Sequence, residues 1–317
     1  MPTDKAQPLP GLVIARHGAH VTVEDESGQL QECVTRKKGA PVVCGDQVLW
    51  TPARSGYCVI EKVLPHRSLL SRPDQRGRLK PICANVDQLV IVNALAPQQG
   101  QNGANAERLI NLDLLDRYLV AAELIAARAV ILVNKIDLAT PAARETLAEA
   151  LACYERMDYP VLFTSTTRNT GMAMLREQLA KHTSVLVGES GAGKSSLIQT
   201  LLPDLEIRIG AISAASGKGR HTTTTTTLYH LPGGGDLIDS PGVRDFSLWH
   251  IEAHELVQGF RDFRPWLDQC RFRNCRHKGE AGCTIAAAVK MGQICPQRLE
   301  SYRAILASLE QPNLCRH

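Results

Sequence analysis

Two nucleotide-reading motifs occur in this chain in an order that ordinary nucleotide-binding domains do not use. Residues 188–195 read Gly-Glu-Ser-Gly-Ala-Gly-Lys-Ser, a full G-x-x-x-x-G-K-[ST] phosphate loop. Asn134-Lys135-Ile136-Asp137, an N-K-x-D guanine reader, lies about fifty residues before it. In the usual arrangement the guanine reader follows the phosphate loop. The reversed order restricts the fold to an α/β P-loop domain with circularly permuted strands. It also moves a nucleotide-sensing segment to a domain boundary.

The phosphate loop is chemically complete. Gly188, Gly191 and Gly193 let backbone N–H groups converge on phosphate oxygens with no Cβ in the way. Glu189, Ser190 and Ala192 complete the loop, Lys194 supplies charge between the β- and γ-phosphates, and the Ser195 hydroxyl suits Mg²⁺. Ser184–Val187 reads as a short buried strand before the loop. Ser196–Leu202 reads as the helix whose N-terminus faces the phosphates.

The guanine reader follows Val130-Ile131-Leu132-Val133, an apolar run suited to a buried parallel strand. Ligands bind at the carboxyl ends of such strands. Asp137 can accept from the guanine N1–H and N2 amino groups, a pair adenine lacks, so GTP is expected over ATP. Asn134 would brace the loops, the Lys135 stem would cover a base face, and Ile136 completes the motif. Thr164-Ser165-Thr166, after the apolar run Val161–Phe163, is either a third contact, with backbone N–H groups near Ser165 on guanine O6, or a helix N-cap.

Downstream, Gly219-Arg220-His221 leads into six threonines, Thr222 to Thr227. Thr222 or Thr223 is expected to close over Mg²⁺ and the γ-phosphate, with Thr223 a magnesium ligand. Thr225–Thr227 read as the start of a strand, followed by a turn at Gly233–Gly235 and a returning strand at Asp236–Ile238. That strand ends in Asp239-Ser240-Pro241-Gly242, a D-x-x-G that gains meaning only from its position. Asp239 would hold Mg²⁺ through water, and the Gly242 N–H would meet the γ-phosphate. The next residue is Val243, where many such enzymes carry a water-orienting glutamine. His221 is the best replacement, because an imidazole can orient water near neutral pH. A mobile loop holding Gly217 and Gly219 predicts slow hydrolysis until a macromolecular activator orders it.

Cys270-x₄-Cys275-x-His277-x₅-Cys283 sets three thiolates and one imidazole within fourteen residues. That donor set suits one structural, tetrahedral Zn²⁺ per chain with no open position. Cys295 and Cys315 are nearby spares. Cys33, Cys44, Cys58, Cys83 and Cys153 are scattered and read as reduced and mostly buried. No apolar stretch reaches membrane-spanning length, and Met1–Pro10 has no signal-peptide character, so a cytoplasmic protein without membrane contact is expected.

Residues 1–84 carry a net charge of +4, residues 85–245 of −3, and residues 246–317 of +3. Basic flanks on an acidic centre suggest nucleic-acid contact. Short apolar runs at Gly11–Ala15, His20–Val23, Gln47–Trp50 and Tyr57–Ile60, with a basic loop at Arg36–Gly39, fit a small barrel of the OB type. Arg271, Arg273, Arg276 and Lys278 interleave with the metal ligands and read as a rigid basic surface. The chain therefore reads as multidomain. An all-β OB-type RNA-binding barrel spans 1–70, a linker 71–84 within a Pro-, Arg- and Ser-rich stretch from 65, a circularly permuted α/β P-loop GTPase 85–245, and a mainly α zinc-binding region 246–317. Asp87–Val92 is its first GTPase strand and Leu109–Ala127 an amphipathic helix.

The reversed motif order, Gly219-Arg220-His221-Thr222-Thr223 and the Cys270/Cys275/His277/Cys283 spacing together resemble the bacterial ribosome-small-subunit-dependent GTPase A family, across residues 10–300. The resemblance implies GTP contacts at Asn134–Asp137 and Gly188–Ser196, and zinc ligands at the four Cys and His positions. It further implies action in late maturation of the small (30S) subunit through its 16S rRNA, with hydrolysis stimulated by that subunit and other assembly factors as further partners. A monomer is expected. Because Asp239–Gly242 runs through Val243–Phe246 into the C-terminal region, a γ-phosphate pulling on Gly242 would pull on the zinc region too. The alternative is an RNA-binding adaptor that uses GTP as a structural ligand.

Overall fold

Alternating apolar residues over the first sixty positions build five short strands that close on themselves. The computed structural model describes residues 7–36, 41–53, 57–74, 78–95, 109–204, 226–240, 251 and 253–310. β1 (Leu9–His17), β2 (His20–Asp25) and β3 (Leu30–Thr35) form an antiparallel meander. β4 (Gln47–Thr51) pairs with β5 (Cys58–Val63), β5 lies parallel to β3, and β4 returns to pair with β1 from Leu9↔Trp50 to Leu12↔Gln47. The order β1-β2-β3-β5-β4-β1 is a closed OB-type barrel, which leaves no free edge. Val13, Val21, Val23, Cys33, Val48, Trp50 and Ile60 fill its interior.

Residues 69–84 depart from the linker expectation. β6 (Leu69–Pro73) and β7 (Leu79–Ala84) form an antiparallel hairpin with Leu70 and Cys83 fully buried. A backbone β-bridge between Cys44 and Cys83, both free thiols, ties it to the barrel. Composition misled here because the stretch has few apolar residues, yet two of them, Leu70 and Cys83, are partners across the ladder and fully buried.

β8 (Gln88–Ala94), β9 (Arg128–Asn134) and β10 (Val161–Phe163) are neighbours in the order β10-β9-β8, with β9 and β10 parallel. Helix α1 runs Leu112–Leu124, inside the predicted span 109–127, because Asn111 caps it by accepting from the Leu114 N–H. Helix α2 (Pro141–Glu155) starts with Thr140 as cap and proline at its first position. Then come α3 (Met172–Leu179), β11 (Thr183–Val187), α4 (Lys194–Leu201), β12 (Thr227–His230) and β13 (Asp236–Asp239). The C-terminal region is helical, with α5 (Ala253–Gln258), α6 (Thr284–Lys290) and α7 (Pro296–Glu310). Among the described residues no helix is long and apolar enough to cross a membrane.

The chain divides into two compact units that do not follow chain order. The first comprises Met1–Leu89, Ala173–Val187 and Lys194–Phe246; the second comprises Val90–Met172, Gly188–Gly193 and Ser247–His317. Within the first, the strand order β11-β13-β12-β1 makes the barrel and the later GTPase strands one sheet, joined at Ala15↔Thr227. Within the second, the guanine-reader strand and the C-terminal helices share one body.

A histidine clamp reinforces the first unit. His230 Nδ1 lies 2.6 Å from Asp236 Oδ1, and Nε2 lies 2.6 Å from Glu24 Oε2. The Asp236 hydrogen bond leads in pushing the His230 pKa up to about 9, with Glu24 adding and burial opposing. A raised histidine pKa stabilises fully below the ordinary value of 6.5 and loses that contribution as pH rises through about 9. The melting temperature should therefore fall more steeply between pH 7 and 10 in the parent chain than in His230→Gln. Equal slopes would dismiss the clamp.

Candidate functional site: a nucleotide loop set and a cysteine–histidine cluster

The guanine-reader strand ends in a buried asparagine that ties three loops. Asn134 Nδ2 donates to Ala192 O at 3.0 Å, and its Oδ1 accepts from the Thr164 hydroxyl at 3.2 Å. Lys135 adopts a left-handed conformation (φ 60°), which turns its side chain over the phosphate loop, where Nζ donates to Gly191 O at 2.7 Å. A stem laid this way can cover one face of a base. Asp137 sits in the single 3₁₀ turn Ile136–Leu138. The Ser165 hydroxyl leads in holding its carboxyl below the usual carboxylate range, with burial opposing and Thr167 and Arg168 adding. An ionised, outward-facing carboxylate is the acceptor that guanine's two donors need.

Thr164–Thr166 does not form a helix N-cap, since α3 starts only at Met172. The Thr164 N–H donates to Val133 O and the Ser165 N–H to Thr170 O. Ser165 therefore acts on Asp137 through its hydroxyl, and Thr166 carries the N–H of the three that makes no bond among the described residues.

The phosphate loop Gly188–Gly193 needs glycine for two reasons at once. Gly188 (φ 135°) would place a Cβ 2.1 Å from Val92 O, and Gly193 (φ 91°) would place one 2.4 Å from Asn134 Nδ2. Both backbone conformation and close approach exclude a side chain. Glu189 accepts from Asn111 Nδ2 at 2.8 Å, a tie between the loop and the cap of α1 that sequence spacing alone could not reveal. Helix α4 opens at Lys194, so Ser195 and Ser196 lie in its first turn. Asp239 is the last residue of β13, which runs parallel to β11. His221, Thr222, Thr223, Gly242 and Val243–Phe246 lie outside the described residues.

The second cluster holds Cys270, Cys275, His277 and Cys283, with all ligand atoms within 4.8 Å of one another. His277 Nδ1 lies 3.7 Å from Cys270 Sγ, 3.6 Å from Cys275 Sγ and 3.4 Å from Cys283 Sγ. A tetrahedral ion bound at ordinary zinc–ligand lengths spaces such atoms about 3.6 Å apart, so the donors fit. Burial lowers the His277 pKa, which keeps the ring neutral and its lone pair available. The Thr284 N–H points to Cys270 Sγ at 3.4 Å. The Glu280 carboxylate gathers the N–H groups of Arg276 (2.9 Å), Lys278 (2.7 Å) and Gly279 (3.1 Å), fixing the turn between ligands. Helix α7 supports the turn, with Arg303 Nε donating to His277 O at 3.0 Å and the Tyr302 hydroxyl to Arg276 O at 3.2 Å. The expected basic surface is narrower than its sequence suggests. Arg276 and Lys278 both pair with Glu310, which leaves Arg271 and Arg273 as the two of these four cations with no ion-pair partner among the described residues.

Comparison with known proteins agrees with this layout. A protein-family model described as RsgA GTPase matches residues 63–249. The small ribosomal subunit biogenesis GTPase RsgA of Azotobacter vinelandii is 48% identical over 306 residues, covering 95% of this chain and 86% of the relative. The protein of that name from Pseudomonas aeruginosa is 46% identical over 301 residues, with 95% and 86% covered. The crystal structure of YjeQ from Thermotoga maritima superposes with a TM-score of 0.76 at 31% identity, covering 95% of this chain and 98% of that one. YloQ, a circularly permuted GTPase, shares the fold with a TM-score of 0.74 at 24% identity, with 99% of each chain covered.

Proposed function

The chain belongs to the RsgA GTPase family, a GTP-hydrolysing enzyme of small-ribosomal-subunit biogenesis, and we propose that the loops described above perform that task as a subunit-triggered switch. Family membership implies contact with the 30S subunit and its 16S rRNA. In this reading Asp137 selects guanine, Asn134 and Lys135 hold the base loop against the phosphate loop, Ser165 keeps Asp137 ionised, and the Thr166 N–H meets O6. The N–H groups of Gly188–Gly193 cradle the phosphates, and Lys194 lies between the β- and γ-phosphates. Ser195 and Thr223 would hold Mg²⁺, with Asp239 acting through water, and the ion would supply positive charge at the γ-phosphoryl group.

His221 orients the attacking water in place of the glutamine absent at Val243, and Thr222 or Thr223 closes over the γ-phosphate. Zn²⁺ held by Cys270, Cys275, His277 and Cys283 stiffens the C-terminal turn. In this reading the RNA-binding barrel occupies 1–70, the permuted GTPase 85–245 and the zinc region 246–317, and the β6–β7 hairpin rather than a linker stands between the first two. GTP holds the protein on the maturing subunit and hydrolysis releases it, in the cytoplasm.

The observation that carries the reading is the bracing of the guanine reader on the phosphate loop through Asn134 and Lys135. GTP hydrolysis with and without purified small subunits tests it, beside His221→Ala and Lys194→Ala. Stimulation by small but not large subunits, with stimulated turnover reduced about a hundredfold or more in both variants, is expected. Subunit binding without stimulation would instead make the chain an adaptor, with His221 an ordinary loop residue.

A further inference from the structure

A cleft of about 310 Å³ in the first unit has a wall chemistry that its surroundings do not satisfy. The β6–β7 hairpin lines it with Arg72, Lys80 and Ile82, and the barrel adds Arg16 beside the turn at Gly18. The ends of the later strands contribute Thr226 and Ser240. Three cations face this space, and among the described residues no carboxylate lines it. Arg72 and Lys80 are direct partners across the hairpin ladder, so like charges stand opposite each other. That arrangement destabilises a two-stranded ladder. Among the described residues neither side chain has an ion pair or hydrogen bond. Arg16 is held in place by donating from Nε to Gly18 O at 2.9 Å and from Nη1 to Val42 O at 2.6 Å, which leaves the rest of its fork free. The Thr226 and Ser240 hydroxyls lie 2.8 Å apart, so one proton joins them and the other remains to be donated.

Cations beside a donating hydroxyl pair match an oxyanion with several acceptor atoms. The hairpin lies outside the five-stranded barrel, and its cations form no flat aromatic platform. Such a surface grips sugar-phosphate backbone rather than reading base edges.

We propose that this cleft grips a backbone phosphate of RNA, with Arg72 and Lys80 as its charge contacts and Thr226 and Ser240 as the relay toward the nucleotide. The inference rests on the small-subunit reading above and adds the place where RNA meets the switches. Thr226 follows Thr222–Thr225 directly, and Ser240 stands between Asp239 and Gly242. A phosphate bonded to either hydroxyl acts on backbone within four residues of the groups assigned to Mg²⁺ and the γ-phosphate. RNA then favours whichever switch arrangement offers it the better contact, as any ligand with differential affinity does.

The test measures small-subunit binding by full-length protein across a range of KCl concentrations, for the parent and for Arg72→Ala/Lys80→Ala. The double variant should bind about five- to twentyfold more weakly near 0.15 M salt, and its log affinity should fall with log salt by about one unit less. Subunit-stimulated GTP turnover should fall with it. Its melting temperature should hold or rise slightly, because two facing like charges are gone, and this separates lost contact from lost fold. An RNA oligonucleotide should compete with the subunit for the parent chain. Competition by inorganic pyrophosphate and not by RNA would overturn the RNA assignment. A double variant that matches the parent in affinity and salt slope would overturn the surface alone. A parent chain that bound no small subunit would bring down the underlying reading, and this surface with it.

Discussion

Replacing Arg298 with methionine should destabilise the second unit by about 3–5 kcal/mol, the cost of stranding buried carboxylates without their counter-charge. Arg298 is fully buried, and so is Asp116, which accepts from Nη1 at 2.5 Å. Asp262 accepts from Nη2 at 3.0 Å, and the guanidinium carbon sits 4.5 Å from the centre of the Phe260 ring. Burial works against the Arg298 charge, and the two carboxylates overcome it. Burial likewise pushes the Asp116 carboxyl up, with Arg298 opposing. Without the arginine, burial is opposed only by hydrogen bonds from Ser301 and Tyr154, so Asp116 would take a proton more readily in the folded state. A carboxyl whose folded pKa is raised costs folding its full penalty above that pKa, and the penalty fades as pH falls from there toward the ordinary value of 3.8. The deficit of Arg298→Met should therefore shrink as pH falls from 8 to 5. Denaturant melts at the two pH values check this. A deficit below about 1 kcal/mol, or one independent of pH, would mean that the network contributes little. Replacing all three charged groups with apolar residues of similar volume should recover most of the loss, since a buried ion pair is seldom better than good packing.

Asp137→Asn should cost about 2–3 kcal/mol of GTP affinity, roughly 30- to 150-fold, because guanine loses a charged acceptor for two donors. The carboxamide presents a donor where guanine also presents one. Xanthine has an oxygen at that ring position and keeps the N1–H, so the variant should prefer XTP over GTP. Competitive titration against a fluorescent GDP analogue reads both affinities. Unchanged GTP binding would place base recognition away from this carboxylate. Ser165→Ala is expected to weaken GTP only modestly, since it removes the hydroxyl that leads in keeping Asp137 ionised but leaves Thr167 and Arg168.

Much of the loop geometry at the candidate nucleotide site was legible because short motifs constrain the backbone within a few residues. Gly188 and Gly193 occupy positive-φ positions that a glycine-rich phosphate loop calls for. The four cysteine and histidine ligands converge because only twelve residues separate the first from the last. The role of Ser165 was half legible. Its position after a strand marked it, but whether its N–H or its hydroxyl is available depends on Thr170 and Asp137, which the fold brings to it. Arg276 and Lys278 read as free cations, since their partner Glu310 lies on the far helix α7.

The sequence by itself determined the loop chemistry, the permuted order of the GTPase strands and the metal donor set. Each depends on residues that are neighbours in the chain or on the order in which motifs occur. Only the tertiary structure decided that residues 69–84 are a seated hairpin, that the barrel continues into the later GTPase strands, and that the guanine reader and the metal cluster belong to one unit. Arg298 shows why. Its carboxylate partners lie 182 and 36 residues away, and a desolvated charge is satisfied by whatever burial brings within hydrogen-bond reach, regardless of distance along the chain.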